Sequence, residues 1–192
     1  LSTTQVSKLT TTQVAALETT DQAAFADTQI QALTTAQIQA LTTTQIATLD
    51  TTQIQALTTL QVSKLETTDL QKLADTQIQA LTSTQLNALT TAEVQAFTTT
   101  QIQNLTSTQI SELTTAQIKV LSNTQVAAIQ TTDLQELTTV QLKALTTAQI
   151  QALTTDQSAS LTSTQIQALT TAQVAAIETT DLAKLTTTQI ET

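Results

Sequence analysis

The sequence predicts an all-α protein, a solenoid of very short capped helices with one helix in each eight-residue repeat. Three observations predict this fold. The chain divides into 24 octapeptides without an insertion or deletion, and each octapeptide places its core residues at the same two positions. Each octapeptide also carries residue types that cap helix N-termini between those positions. The consensus, numbered 1 to 8, is Leu-Thr-Thr-Thr-Gln-Ile-Gln-Ala.

Positions 1 and 6 are the apolar columns and form the predicted core. Position 6 is Ile, Val or Leu except at Gln22 and Ser158, which we interpret as tolerated weak repeats. One octapeptide buries too little surface to fold alone, so neighbouring repeats must complete the core. We expect Leu and Ile to line the inside, and Thr, Gln, Lys and Glu the outside. Position 1 departs from Leu at four places: Phe25, Phe97, Ile129 and Ile177.

Positions 2, 3 and 5 carry the helix-start signals. Position 3 is always Thr, Ser, Asp or Asn, and position 5 is always Gln, Asp or Glu. With Thr at position 2, positions 2 and 5 match the capping box, and positions 1 and 6 match a hydrophobic staple. A cap at position 3 is the alternative, because Asp27 and Asp75 stand there after an Ala at position 2. In either register each octapeptide begins a helix.

Two other arrangements compete with this fold. In one continuous helix the apolar stripe would wind around the rod, because eight residues exceed two helical turns, and no partner could follow it. A β-solenoid is the more serious alternative, since Thr, Ile, Val and Gln suit strands and Gln ladders stabilise stacked sheets. However, tight corners in such folds favour Gly, and this chain has none.

Residues 1–192 are predicted to form a single tandem-repeat array, which we expect to be a piece of a longer repeat region. The tetrapeptide Glu-Thr-Thr-Asp recurs at residues 18–21, 66–69 and 178–181, with a near copy at 130–133. This pattern indicates growth by duplication of blocks of repeats. Calcium needs six to eight oxygen ligands, so two carboxylates are too few. We interpret these acids as favourable charges in the first helical turn.

The composition excludes most catalytic chemistry. The chain has no Cys, His, Gly or aromatic residue other than two Phe. Without a thiolate or an imidazole, the many hydroxyl groups lack an activating base. We therefore predict that the protein is not an enzyme and has no catalytic, cofactor-binding or metal-binding residue. The net charge of −9 argues against nucleic acid as a partner, and no apolar run is long enough for membrane insertion.

The segment Leu-Thr-Thr-Ala-Gln-Ile-Gln-Ala-Leu occurs at residues 33–41 and 145–153. It resembles the Thr/Gln-rich octapeptide arrays of very large, repetitive, adhesin-like bacterial surface or secreted proteins. The resemblance covers the whole chain and transfers no catalytic or ligand residue. It implies an extracellular or cell-surface location and the role of a spacer, stalk or filament segment.

Two functions follow as alternatives to catalysis. The first is a structural spacer whose partners are the neighbouring repeats of the same parent chain, with self-association as a further interaction. The second is a repetitive binding surface for a glycan, ice or a protein. Position 7 varies among Gln, Ala, Ser, Lys, Asn and Glu, and this variation favours the spacer.

Overall fold

The computed structural model describes residues 1–191 and confirms an all-α architecture with one short helix in each repeat. No strand occurs within these residues, so the β-solenoid alternative is wrong. Every helix begins at position 3 and contains four to six residues. In chain order the helices are α1 Thr3–Val6, α2 Thr11–Ala15, α3 Thr19–Ala23, α4 Asp27–Ala32, α5 Thr35–Ala40, α6 Thr43–Ala47, α7 Thr51–Ala56, α8 Thr59–Val62, α9 Thr67–Leu70, α10 Asp75–Ala80, α11 Ser83–Ala88, α12 Thr91–Ala96, α13 Thr99–Gln103, α14 Ser107–Glu112, α15 Thr115–Val120, α16 Asn123–Ala128, α17 Thr131–Glu136, α18 Thr139–Ala144, α19 Thr147–Gln151, α20 Thr155–Ser160, α21 Ser163–Ala168, α22 Thr171–Ala176, α23 Thr179–Leu182 and α24 Thr187–Ile190.

The N-cap lies at position 2, and the alternative register with the cap at position 3 is wrong. In α11, the Thr82 hydroxyl accepts the Gln85 N–H at 3.3 Å, while Gln85 Oε1 accepts the Thr82 N–H at 2.8 Å. These two bonds are the capping box that the sequence predicts. Ala26 has no side-chain oxygen, yet it is also an N-cap, because Gln29 Oε1 accepts its N–H at 2.7 Å. The position 5 side chain therefore keeps the cap where position 2 cannot contribute.

The helices end without a left-handed residue. Within residues 1–191 no residue has a positive φ. Leu89, after α11, is extended with φ −62° and ψ 136°, and its N–H still reaches the Leu86 carbonyl at 3.2 Å. Many helices need a Gly in the left-handed conformation to satisfy their last carbonyl groups. In this chain the Gln side chain at position 5 takes that role.

The chain divides into two compact units, Leu1–Phe97 and Thr98–Thr192. In both units the helices that pack together are three repeats apart, from α1 with α4 to α9 with α12, and from α13 with α16 to α21 with α24. Each unit is thus a solenoid in which helices of successive turns stack on one another. The prediction that residues 1–192 form a single array stays a prediction.

The core of each unit consists of positions 1 and 6. Position 6 is the more deeply buried, with Ile54 and Ile118 having no exposed surface, while position 1 residues such as Leu57 and Leu121 are 3% exposed. Fully burying an aliphatic side chain of this size contributes about 2 kcal/mol. None of the helices in residues 1–191 has the length and apolar character needed to cross a membrane.

Candidate functional site

The Gln at position 5 is the polar residue that this fold buries most regularly. In the middle of the first unit, Gln85 is 3% exposed. Its Nε2 donates to the carbonyl oxygens of Ile54 and Leu57 at 2.8 and 2.6 Å, at the C-terminal end of α7. Since its Oε1 holds the N-cap of α11, one side chain caps the start of its own helix and the end of a helix four repeats earlier.

The same register recurs in both units. Position 5 donates to the carbonyl oxygen of position 1 three repeats back and, in most repeats, to that of position 6 four repeats back. Because packed helices are three repeats apart and this amide reaches the fourth, one turn takes between three and four repeats. Further examples, with their acceptors, are Gln37 to Val6 and Leu9, Gln61 to Ile30 and Leu33, Gln149 to Ile118 and Leu121, and Gln173 to Leu142 and Leu145.

These bonds explain the chain's lack of Gly. The last carbonyl groups of a helix have no partner inside the helix, and leaving them buried and unpaired costs about 1–3 kcal/mol each. The Gln amide supplies that partner from the next turn. The expectation that Gln lies on the outside is therefore wrong for position 5, although it is correct for position 7, where Gln31 and Gln55 are exposed. We call the buried position 5 side chains the glutamine column.

Four buried carboxylates interrupt the glutamine column: Asp69, Glu93, Asp133 and Asp181. A carboxylate has no N–H to give to the carbonyl groups of the earlier turn. The Asp69 carboxylate instead accepts the N–H of its own N-cap, Glu66, at 3.3 Å. Burial raises the pKa of Asp69 despite this bond, and the neighbouring Glu66 carboxylate raises it further.

Side chains from other repeats partly compensate for the missing amide. Thr155 and Ser158, three repeats earlier, donate their hydroxyl groups to Asp181 at 2.8 and 3.0 Å. Asp133 receives the Ser107 hydroxyl on Oδ1, but its buried Oδ2 has no hydrogen-bond partner among the described residues. At position 2 of the same repeat, Gln130 Nε2 donates to the Gln103 carbonyl at 2.8 Å, so it replaces one of the lost contacts with the turn four repeats earlier.

The recurrent Glu-Thr-Thr-Asp segments occupy the helix starts. Asp21, Asp69, Asp133 and Asp181 lie in the first turns of α3, α9, α17 and α23, as predicted. The glutamates at position 2, such as Glu66, stand at the N-cap without a side-chain capping bond. Within residues 1–191, no group of three or more acidic side chains is placed to hold a metal ion. The prediction that no residue binds a metal stays a prediction.

Asp50 shows how an acid at position 2 does cap a helix. Its carboxylate accepts the Thr52 hydroxyl at 2.7 Å and the Gln53 N–H at 2.8 Å. These two bonds, led by that from Thr52, lower the pKa of Asp50 because they favour the ionised carboxylate. The shorter Asp side chain therefore succeeds at the N-cap, where a longer Glu does not.

The two exceptions at position 6 differ in how well the fold accommodates them. Gln22 is 1% exposed, and its Nε2 donates to the Gln45 carbonyl at 3.1 Å, but its buried Oε1 has no partner among the described residues. Ser158 is also buried, and it donates to Asp181. Helices α3 and α20 form in both repeats, so neither residue breaks the solenoid of its unit.

The outer surface offers grooves between stacked helices. One groove in the second unit has a volume of about 490 Å³ and lies between α15 and α18, where Lys119 and Lys143 project from position 7. Another, of about 240 Å³, lies in the first unit and includes Lys72. Threonines, alanines, a leucine and lysines line these two grooves.

Comparison with protein families identifies the repeat. Residues 23–59, 62–99 and 126–163 match the ALTTAQ repeat, and together these segments cover more than half of the chain. The chain belongs to the ALTTAQ repeat family. No curated protein matches the chain significantly.

The hexapeptide Ala-Leu-Thr-Thr-Ala-Gln is found at residues 32–37, 144–149 and 168–173, and the geometry gives each of its residues a structural role. Its Leu is the position 1 core residue, its first Thr is the N-cap, and its Gln belongs to the glutamine column. The ALTTAQ block thus holds the connection between helices, the helix start and the bond to the earlier turn. The ALTTAQ array is a repetitive structural segment.

Proposed function

We propose that this ALTTAQ array is a spacer, stalk or filament segment of a large extracellular bacterial protein and performs no catalysis. The observation that carries the proposal is the glutamine column. A buried amide ties each turn to the one before it, so repeats can be added without a new kind of contact. Gly-free, capped connections leave little freedom between consecutive helices.

The distribution of variation over the octapeptide supports the same function. Inward positions 1, 5 and 6 accept few residue types, whereas the exposed position 7 accepts many. A specific binding surface usually depends on aromatic or Arg anchors, and this chain has no Arg, Trp or Tyr. The extracellular bacterial setting rests on the resemblance of the octapeptide to adhesin-like arrays. Absence of catalysis follows from a composition without His or Cys.

Length variants of the parent protein test the spacer role. One variant lacks residues 33–56, which are three whole repeats, and a second keeps the full length but exchanges the position 7 residues for other polar residues. We expect shortening to impair attachment or assembly in proportion to the repeats removed, and the exchange to leave it unchanged. If the position 7 exchange abolishes activity while the shortened array retains it, the array is a binding surface for a glycan, ice or a protein.

Scattering measurements test the same role on the purified array. Arrays of 12, 24 and 36 repeats should increase in maximum dimension in proportion to their length, because each repeat contacts only nearby repeats. A globule would grow only with roughly the 0.4 power of its length. A maximum dimension that follows the second relation would contradict the spacer.

A further inference from the structure

Asp133 occupies the place where a glutamine amide joins two turns in most repeats. In the register of the glutamine column, the acceptors assigned to this place are the carbonyl oxygens of Ile102 and Leu105, at the C-terminal end of α13. Asp133 is 4% exposed, and its carboxylate has no N–H to donate to them. Its buried Oδ2 has no hydrogen-bond partner among the described residues. Buried polar groups in folded proteins are nearly always paired, so this oxygen calls for a partner from outside the chain.

A hydroxyl group holds the carboxylate beside those carbonyl groups. Ser107 Oγ donates to Asp133 Oδ1 at 2.5 Å, and Ser107 lies at the start of α14, two residues after Leu105. The amide of Gln130, in the same repeat as Asp133, donates to the Gln103 carbonyl instead. In the part of the chain that the structure describes, no side-chain donor reaches either of the two carbonyl oxygens. The fold therefore brings a carboxylate and two carbonyl groups together without a donor between them.

We propose that these groups form a cation site, in which Asp133 Oδ2 and the carbonyl oxygens of Ile102 and Leu105 bind a sodium ion. Hard cations take carboxylate and carbonyl oxygens as ligands. Carbonyl groups of unwound backbone and of helix C-terminal ends are known to coordinate Na⁺. A monovalent ion matches the single buried carboxylate in charge, whereas calcium would need six to eight oxygens. The ion joins the carboxylate to the earlier turn, as the Gln amide does in other repeats.

The site departs from the prediction that no residue binds a metal. That prediction counted the carboxylates of each Glu-Thr-Thr-Asp segment and its near copy, and it found too few for calcium. Backbone carbonyl groups of the earlier turn supply the further oxygens here, so a cluster of acidic side chains is not required. The site is also independent of the spacer function, because it depends on one repeat and its neighbours.

Asp181 shows how the same column satisfies a carboxylate with hydroxyl groups alone. Its Oδ1 accepts the Thr155 hydroxyl at 2.8 Å, and its Oδ2 accepts the Ser158 hydroxyl at 3.0 Å. Ser158 stands at position 6, three repeats before Asp181. The residue in that register before Asp133 is Ile110, which has no hydroxyl group. The residue at position 6 three repeats earlier therefore decides whether Oδ2 has a donor from the chain.

Unfolding of the complete chain in sodium chloride and in choline chloride tests the proposal. The two salts screen charges equally at equal concentration, but choline is too large for coordination by buried oxygens. If the folded state binds one sodium ion, the equilibrium constant for unfolding should fall about tenfold for each tenfold rise in sodium above the dissociation constant. Choline chloride should not produce this fall.

Ile110→Ser is the sharpest variant, because it gives Asp133 the hydroxyl donor that Ser158 supplies elsewhere and leaves every charge in place. The difference between the two salts should disappear in this variant. Ile118→Ser is the matched control, since Ile118 is equally buried at position 6 of the next repeat and a Gln stands in the register of Asp133. The control should lose stability but keep the response to sodium.

The sodium-23 magnetic resonance line width measures binding to the folded chain, so its result does not depend on how a variant unfolds. We expect broadening in the wild type and in Ile118→Ser, and less of it in Ile110→Ser and Asp133→Asn. The proposal is overturned if the two salts stabilise the wild type equally, or if Ile110→Ser retains the full sodium response. A response to calcium chloride without one to sodium chloride would overturn it as well.

Discussion

Gln85 and Asp133 occupy the same position of the repeat, yet they join their turns differently. The Gln85 amide reaches two carbonyl groups of the earlier turn and holds its own N-cap, so all of its polar atoms have partners. Asp133 accepts the hydroxyl groups of Ser107 and Thr132 on Oδ1, and its Oδ2 has no partner among the described residues. The comparison shows that a side chain at position 5 joins two turns best when it carries both a donor and an acceptor. It must also be long enough to reach the neighbouring turn.

The acidic repeats also show where the solenoid tolerates change. At Asp181, a Ser replaces the usual aliphatic residue at position 6 three repeats earlier, and its hydroxyl binds the carboxylate. At Asp133, the Gln at position 2 restores one contact with the earlier turn. The compensation at Asp181 comes from a residue that stacks on the acidic repeat, whereas Gln130 belongs to the acidic repeat itself and reaches a residue of an earlier turn. Substitutions in this fold are therefore coupled at spacings of three to four repeats.

The largest expected effect comes from converting a glutamine repeat into an acidic one. Gln85→Asp removes two hydrogen bonds to buried carbonyl groups and adds a buried carboxylate, for which the Thr59 hydroxyl stands in the register of Ser107 and Thr155. We expect the free energy of unfolding to fall by about 3 kcal/mol, measured by urea denaturation. Gln13→Asp is the control, because Gln13 is exposed and no earlier turn packs on it within residues 1–191. Equal losses in the two variants would mean that the amide contributes nothing between turns.

Two substitutions at position 6 are expected to raise the free energy of unfolding. Gln22→Ile removes a buried oxygen without a partner and restores the aliphatic column, so it should stabilise the protein by about 2 kcal/mol. Ser158→Ile restores the same column but deprives Asp181 of a hydroxyl donor. The gain should therefore be smaller or absent in thermal and denaturant unfolding. A larger gain from Ser158→Ile would show that the hydroxyl–carboxylate bond is unimportant.

The reverse conversion of an acidic repeat should be stabilising. Asp133→Gln removes an unpaired carboxylate oxygen and introduces an amide that can reach the earlier turn, so unfolding should cost about 1.5 kcal/mol more. Asp133→Asn shortens the reach by one methylene and serves as the control. If both variants gain equally, loss of the charge explains the effect and the length of the side chain does not.

These contrasts also show which features the sequence could predict. The octapeptide, the helix in each repeat and the capping box depend on residues within four positions of each other, so local chemistry was sufficient. The cap register was uncertain because Asp27 and Asp75 look like caps, and the sequence did not show that Gln29 and Gln77 hold the Ala N–H groups. One signal for the buried amide was present in the sequence, because position 5 accepts only Gln, Asp or Glu whereas position 7 accepts many residue types.

The number of repeats in a turn could not be predicted in the same way. It depends on how helices 24 residues apart pack, and no local pattern encodes that distance. The hydrogen bond from Gln37 Nε2 to the Leu9 carbonyl joins residues 28 apart in sequence, so it could not be predicted. Gln37 and Leu9 are nevertheless the consensus residues of positions 5 and 1. The pairing of Ser158 with Asp181 could not be predicted for the same reason, since Ser158 is an isolated departure at position 6 and Asp181 belongs to a recurrent Glu-Thr-Thr-Asp segment.

The smallest expected effect is a pH dependence. Because burial raises the pKa of Asp69 above its ordinary value of 3.8, ionisation of this carboxyl destabilises the folded state. That penalty is complete above the folded pKa and disappears as the pH falls from there towards 3.8. At Asp50, whose pKa is lowered, ionisation stabilises the folded state, and this stabilisation is lost only as the pH falls below 3.8. Asp69→Asn should therefore remove part of the stability gained on acidification, seen as a flatter dependence of the unfolding free energy on pH. An unchanged dependence would contradict the burial of this carboxylate.

The glutamine column itself is tested most directly by solvent exchange of the Gln side-chain amide protons, measured by nuclear magnetic resonance. Gln85→Glu and Gln13→Glu each delete one amide signal pair and so assign the two residues. The structure predicts slow exchange for Gln85, whose protons become accessible only when turns separate, and fast exchange for the exposed Gln13. Fast exchange at both residues would contradict the claim that a buried amide joins each turn to the turn before it.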